Sequence, residues 1–194
     1  MTLKNVLVLA AIVLCMPLAA EDIVVLPQGV VKGPSSSSSV PKDSAESGFL
    51  TAALADLAQA TPFDATFALI NPPAWGRVVS PETTGRLQIR RSFTHGFVFH
   101  VVMEHLLAHH TYVLCINGRP NYPGNELLPQ AVPGNAAEKY FDFYSAETDA
   151  AGRYDAGCAL FLHPGAYNVH FYVKDVTDHK IILYGLDYFD FEVK

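Results

Sequence analysis

The chain is short of cysteine, of positive charge and of long apolar runs, and each shortage removes a class of protein. Three cysteines in 194 residues are too few for a disulfide-stapled mini-fold. Thirteen Lys and Arg stand against 19 Asp and Glu, for a formal net charge of −6. Nucleic-acid binding rests on cations at phosphates, so an acidic chain is a poor candidate for it. Past the N-terminus, no stretch is apolar enough to cross a bilayer. There is no Gly-x-Ser-x-Gly elbow, no phosphate-cradling glycine loop followed by Lys-Ser/Thr, and no protease context around Cys158. The reading therefore assigns no catalytic residue, no enzyme activity and no cofactor.

What is present begins with an export signal. Lys4 supplies the positive start, residues 6–14 an apolar run, and Pro17, Leu18, Ala19 and Ala20 a small-residue site ahead of Glu21 and Asp22. This pattern predicts a secretory signal peptide over residues 1–20, cut after Ala20. The run is too short to span about 30 Å of hydrocarbon, and Leu14 is bulky where acylation at Cys15 would want a small residue. The expected location is secreted, periplasmic or at the cell surface. The expected product does not span a membrane, and it carries −7 once Lys4 leaves the −6 total. Cys115 and Cys158 then form one disulfide or stay as two buried thiols; spacing does not choose between them.

Composition divides the remainder. Residues 21–48 read as a disordered linker: the serine run 35–39 sits between Pro34 and Pro41, with Gly29, Gly33 and Gly48 around it. Residues 49–194 read as a single domain, large enough to bury about 70 % of its extended surface without metal or disulfide. Leu50, Leu54 and Leu57 among alanines fit one short helix over 49–60, with a strand lead-in as the alternative. From Phe63 the hydrophobic period becomes two. Strands are predicted at 65–70, 76–79, 86–93, 97–104, 111–116, 139–146, 153–161, 167–174, 180–184 and 188–193. No βα alternation is visible. The fold class expected is all-β: an antiparallel immunoglobulin-like or prealbumin-like β-sandwich with one short N-terminal helix. The connection 117–138 is long enough to be functional or a crossover between sheets.

Alternation also assigns faces. Phe97, Phe99, Val101 and Met103 point one way, and Val98, His100, Val102 and Glu104 the other. Tyr167, Val169, Phe171 and Val173 point inward; Asn168, His170, Tyr172 and Lys174 point out. Phe141 and Phe143 go in, while Tyr140, Asp142 and Tyr144 go out.

The wording Thr148-Asp149-x-x-Gly152-Arg153-Tyr154, then Leu160-x-Leu162-x-Pro164-Gly165-x-Tyr167-x-Val169, resembles transthyretin-like or carboxypeptidase-regulatory-like β-sandwich domains, over about residues 112–174. The segment 175–194 departs from that pattern by adding two strands, and nothing before Phe93 matches. The resemblance implies an accessory or adhesive unit without catalytic residues.

Two groups of side chains are candidates for chemistry. The first is histidine-based: Glu104-His105-x-x-x-His109-His110 would place imidazoles at zinc spacing if helical, and copper is equally suited to them. The order is not HExxH, and the segment reads better as a loop with exposed histidines. His100 and His170, each mid-strand and outward, would meet only if their strands were neighbours. The second group is the outward set Tyr140, Tyr144, His170, Tyr172 and Tyr188 with Asp142 and Asp190. It combines apolar area with directional polar groups, as a surface for a protein or glycan partner requires. The expected function is an exported non-enzymatic binding, adhesive or structural module. The alternative is a histidine-based copper- or zinc-binding protein.

Overall fold

A computed structural model describes the chain at residues 22–26 and 63–194, except His95. The signal peptide expected over 1–20, residues 27–48 and the helix expected over 49–60 lie outside the described residues.

The described chain is nearly all antiparallel β. Its strands are β1 (Asp22–Leu26), β2 (Ala65–Ile70), β3 (Thr84–Ile89), β4 (Ser92–Phe93), β5 (Gly96–Glu104) and β6 (Thr111–Gly118), then β7 (Gln130–Val132), β8 (Asn135–Glu147), β9 (Tyr154–Phe161), β10 (Gly165–Asp175), β11 (Ile181–Gly185) and β12 (Phe189–Val193). One-turn helix α1 (Pro123–Glu126) lies between β6 and β7. Ten strands form one path, β1-β9-β5-β3-β2-β11-β10-β6-β8-β7, with β12 on β10 and β4 on β12. The β2–β11 link is only two pairs wide, Ile70 to Tyr184 and Leu69 to Gly185. The path folds there, so that a first layer, β1-β9-β5-β3-β2, lies against a second, β11-β10-β6-β8-β7.

Rings fill the space between the layers. Phe99 of β5 meets Phe143 of β8 and Phe171 of β10 at 5.8 Å each, and Phe97 stacks on Phe191 at 4.4 Å. Phe97, Phe99, Val101 and Met103 line this core, as do Tyr167, Val169, Phe171 and Val173. The all-β sandwich and these inward sets are as the alternation predicts.

The turn wording Thr148-Asp149-x-x-Gly152 turns out to be a clamp at one end of the sandwich. Asp149 Oδ1 accepts the backbone N–H groups of Ala151 and Arg153, both at 2.8 Å, which with the Arg153 hydrogen bond foremost holds its carboxyl below the usual range. Gly152 has φ +70°, and a Cβ there would come within 2.1 Å of the Leu106 carbonyl oxygen, so only glycine fits. Thr148 Oγ1 donates to Leu107 O at 2.6 Å and accepts from His110 N at 3.0 Å. At the crossover from β9 to β10, Tyr167 OH donates to His163 O, four residues upstream, at 2.9 Å. A bond of this kind closes the tyrosine corners of immunoglobulin-type sandwiches.

Several expectations need correction. Residues 76–79 are not a strand: Pro72 and Pro73 lack donors, Gly76 N bonds Pro73 O to close a turn, and 77–79 continue as irregular chain. The strand expected at 86–93 is two pieces, β3 in the first layer and β4 on β12. Residues 22–26, placed in the linker by composition, are strand β1, paired in parallel with β9. The connection 117–138 also contains α1 and β7. Asn125 pins it, donating to Arg119 O and Asn168 O at 2.8 Å each. Cys115 and Cys158 are both free and buried. Cys158 belongs to the core, whereas Cys115 sits between core residues Leu114 and Ile116 and points away from it. Burial pushes the Cys158 thiol up to about 12 and the Cys115 thiol above its ordinary range.

Candidate functional site

The outer face of the second layer assembles four of the five predicted recognition residues. Register carries this: on β10, β6 and β8, His170 lies beside Asn117 and Asn117 beside Tyr140, while Tyr172 lies beside Cys115 and Cys115 beside Asp142. Residues directly opposite in a ladder share a face, so two polar-aromatic rows run across three strands. Tyr188, just ahead of β12, folds onto this face. Its ring stacks on His170 with centroids 3.6 Å apart and planes at 21°.

A residue missed by the sequence reading completes the cluster. The Arg119 guanidinium lies 3.9 Å from the Tyr188 ring centroid. Two groups within 4 Å of one centroid cannot share a face, so Arg119 and His170 cover opposite sides of Tyr188. The result is a three-layer stack of guanidinium, phenol and imidazole. Arg119 falls two residues after Asn117, at the same parity just beyond β6, and that periodicity was the available signal.

Polar contacts frame the stack. His170 Nδ1 and Tyr172 OH share a 3.0 Å hydrogen bond. Asn117 Nδ2 and Tyr188 OH both donate to Glu138 Oε1 at 3.4 Å. Lys174 Nζ lies 4.6 Å from the Tyr140 ring centroid and donates to Asp142 at 2.5 Å. Asn168 Nδ2 donates to Asp190 Oδ1 at 2.7 Å. The Oδ1 atoms of Asn117 and Asn168 are buried without a hydrogen-bond partner. Desolvation lowers the His170 pKa, helped by the Arg119 charge; it raises Tyr188 and pushes Tyr172 up to about 12. All three rings are therefore neutral near pH 7. Lys174 behaves oppositely: burial works against its charge, but its buried partners, the Asp142 carboxylate among them, outweigh it and raise its pKa.

Tyr144 does not belong to this face. The β6–β8 register shifts between Leu114 and Cys115, where Phe143 is the extra residue. A bulge of this kind reverses parity beyond it. Tyr144 accordingly packs against the core, 6.4 Å from the Tyr154 ring.

The candidate histidines His100, His105, His109, His110 and His170 do not come together among the described residues. His100 lies on the other layer from His170, is only 4 % exposed, donates from Nε2 to Asp155 Oδ1 at 2.7 Å, and has Nδ1 3.1 Å from the Gln88 amide. His105 and His109 sit in the β5–β6 loop with φ of 59° and 50°, both exposed. His110 Nε2 is taken by Asp175 Oδ2 at 2.9 Å, a carboxylate also held by Arg77 and Thr177. Among the described residues, no group of three or more His, Cys, Asp or Glu side chains is placed to hold a metal ion. No described helix is long and apolar enough to cross a membrane.

Comparison with protein-family models, curated proteins and solved structures returns no match, so any reading of function rests on this geometry.

Proposed function

We propose that this chain is an exported, non-enzymatic, immunoglobulin-like sandwich that captures a protein partner on the outer face of its second layer. The order β3-β5-β9 against β8-β6-β10, with the Tyr167 corner, supports the immunoglobulin-like form of sandwich. The observation that carries the proposal is the Arg119–Tyr188–His170 stack. Tyr and Arg are the residue types that dominate interface energetics, and here both are held rigid before any partner arrives.

The same stack favours one of the two partner classes. A sugar ring binds by lying flat on an aromatic face. Both faces of Tyr188 are occupied, and Lys174 approaches Tyr140 over its ring. What remains are ring edges, hydroxyls and paired charges, which suit a protein surface better than a glycan. The transthyretin-like wording adds no chemistry: its Thr148, Asp149, Gly152 and Tyr167 hold turns together.

The test is partner capture from the native secretome with wild type, Tyr188→Ala and Arg119→Ala, beside a glycan array. The reading expects a protein retained by wild type and at least tenfold less of it by each variant, with both variants folded by circular dichroism. Equal retention, or a glycan signal that survives both substitutions, contradicts it.

A further inference from the structure

We infer that β1 is an exchangeable strand and that the β9 edge it covers accepts β1 of a second copy of this chain. The argument starts from β9. Its Tyr154–Phe161 backbone pairs with β5 on one side, antiparallel over eight residues. On the other side its only neighbour among the described residues is β1. Without β1, β9 is an open edge of the kind that templates intermolecular pairing, and it lacks the usual protection. Residues 156–161, AGCALF, contain no charge and no proline, and Ala156, Gly157, Cys158, Ala159 and Leu160 are all buried. Some strand has to satisfy that edge.

The strand that does so is weakly committed to its own copy. Only five pairs hold it, Asp22 to Ala156 through Leu26 to Leu160, and they are parallel, the slightly less stable ladder. Between β1 and Phe63 lie residues 27–62, 36 residues of chain. Fully extended, these reach on the order of 120 Å. From β1 to β2 across β9, β5 and β3, the layer is about 20 Å wide at the usual strand spacing. So long a connection leaves β1 favoured in its own sheet only by an effective concentration near the millimolar range. The incoming strand has the same sequence and finds the same register, so exchange loses no pairing. This is the physical basis of domain swapping. Because each copy offers one β1 and one β9 edge, pairing can close as a dimer or continue as a chain.

Register supplies the test, since Val24 lies directly opposite Cys158, where a disulfide is geometrically accessible. Two full-length chains are refolded together at millimolar concentration and oxidised, both carrying Cys15→Ser and Cys115→Ser. The donor also carries Val24→Cys and Cys158→Ser; the acceptor keeps Val24 and Cys158. A disulfide joining them can only be intermolecular. The expected result is a covalent heterodimer, at twice the 21.1 kDa chain mass, mapped to positions 24 and 158. It should fall to a trace when refolding is done at low micromolar concentration. A single chain holding both Val24→Cys and Cys158 is the companion sample. If it closes its own disulfide while no heterodimer forms at any concentration, β1 is confined to its own sheet and the inference is overturned. If the single chain does not close either, the β1–β9 pairing itself is overturned.

Discussion

His100 and His170 look alike in the sequence. Each sits mid-strand at a position that alternation turns away from the core, yet the two layers treat them differently. On β5 the companions on the outward side are Val98 and Val102, at 0 % and 5 % exposure, so this outer face is a second buried face. His100 is enclosed there between Asp155 and Gln88, with Phe63 stacked over it at 6.1 Å. On β10 the companions are Asn168, Tyr172 and Lys174, and His170 stays half-buried beneath Tyr188. A histidine's role is thus set by the other residues of its own face. Two valines mean a covered face that needs its polar atoms paired. A tyrosine, an asparagine and a lysine mean a face that meets solvent or a partner.

The largest predicted effect probes that difference with the same change on each side. Val98→Asp places an unpaired carboxylate in a buried face and should cost more than about 4 kcal/mol. Tyr140→Asp, beside Lys174, should cost under about 1 kcal/mol. Urea midpoints read both. Similar losses would mean that the two outer faces are equally covered.

Next in size are the histidines themselves. His100→Ala empties a buried site and leaves Asp155 Oδ1 and Gln88 without their imidazole partner, while Arg153 still pairs with Asp155 Oδ2, and should lose about 3 kcal/mol. His170→Ala removes a ring stack and one hydrogen bond, about 1 kcal/mol. Scanning calorimetry should show a Tm drop about three times larger for the first variant. An equal drop would erase the distinction.

Acid gives a smaller effect with a definite sign. The His170 pKa is lowered in the folded chain from its model-compound value of 6.5. The unfolded state then binds more protons below that pH, so folding stability falls as pH drops through 6.5. Denaturation at pH 7.5, 6 and 5, a series bracketing that unperturbed value, should show a steeper loss for wild type than for His170→Gln. The smallest effect is that of Arg119→Ala, which removes one cation–π contact and should cost only about 0.5 kcal/mol of stability while weakening capture much more. A large stability loss there would make the stack a structural device.

Much of this was legible before the fold was known. Short β-branched and aromatic runs between Gly, Pro, Asn and Asp identified most strands from Phe63 onward, because period-two burial is a local signal. Tyr140, His170, Tyr172 and Tyr188 were placed on one face for the same reason. The misreadings arose where a neighbouring element decides. Tyr144 turns inward because of a register shift with β6, which its own strand does not encode. The run from Phe97 to Met103 is apolar on both parities except at His100, the pattern of a strand buried on both faces; alternation alone puts His100 outside. Arg119 gains its role only when Tyr188, 69 positions later, folds back over the sheet. Composition assigned residues 22–26 to the linker, although the apolar run after Asp22 suits an edge pairing.

A photo-crosslinking amino acid placed at Tyr140 or at Arg86 tests the central contrast most directly. Both positions lie on strands at outer faces, Arg86 beside Val102 on the first layer and Tyr140 beside Asn117 on the second. With native secretome present, the account predicts a partner adduct from position 140 and at most a background adduct from position 86. Equal adducts from both positions, or adducts from position 86 alone, would contradict it.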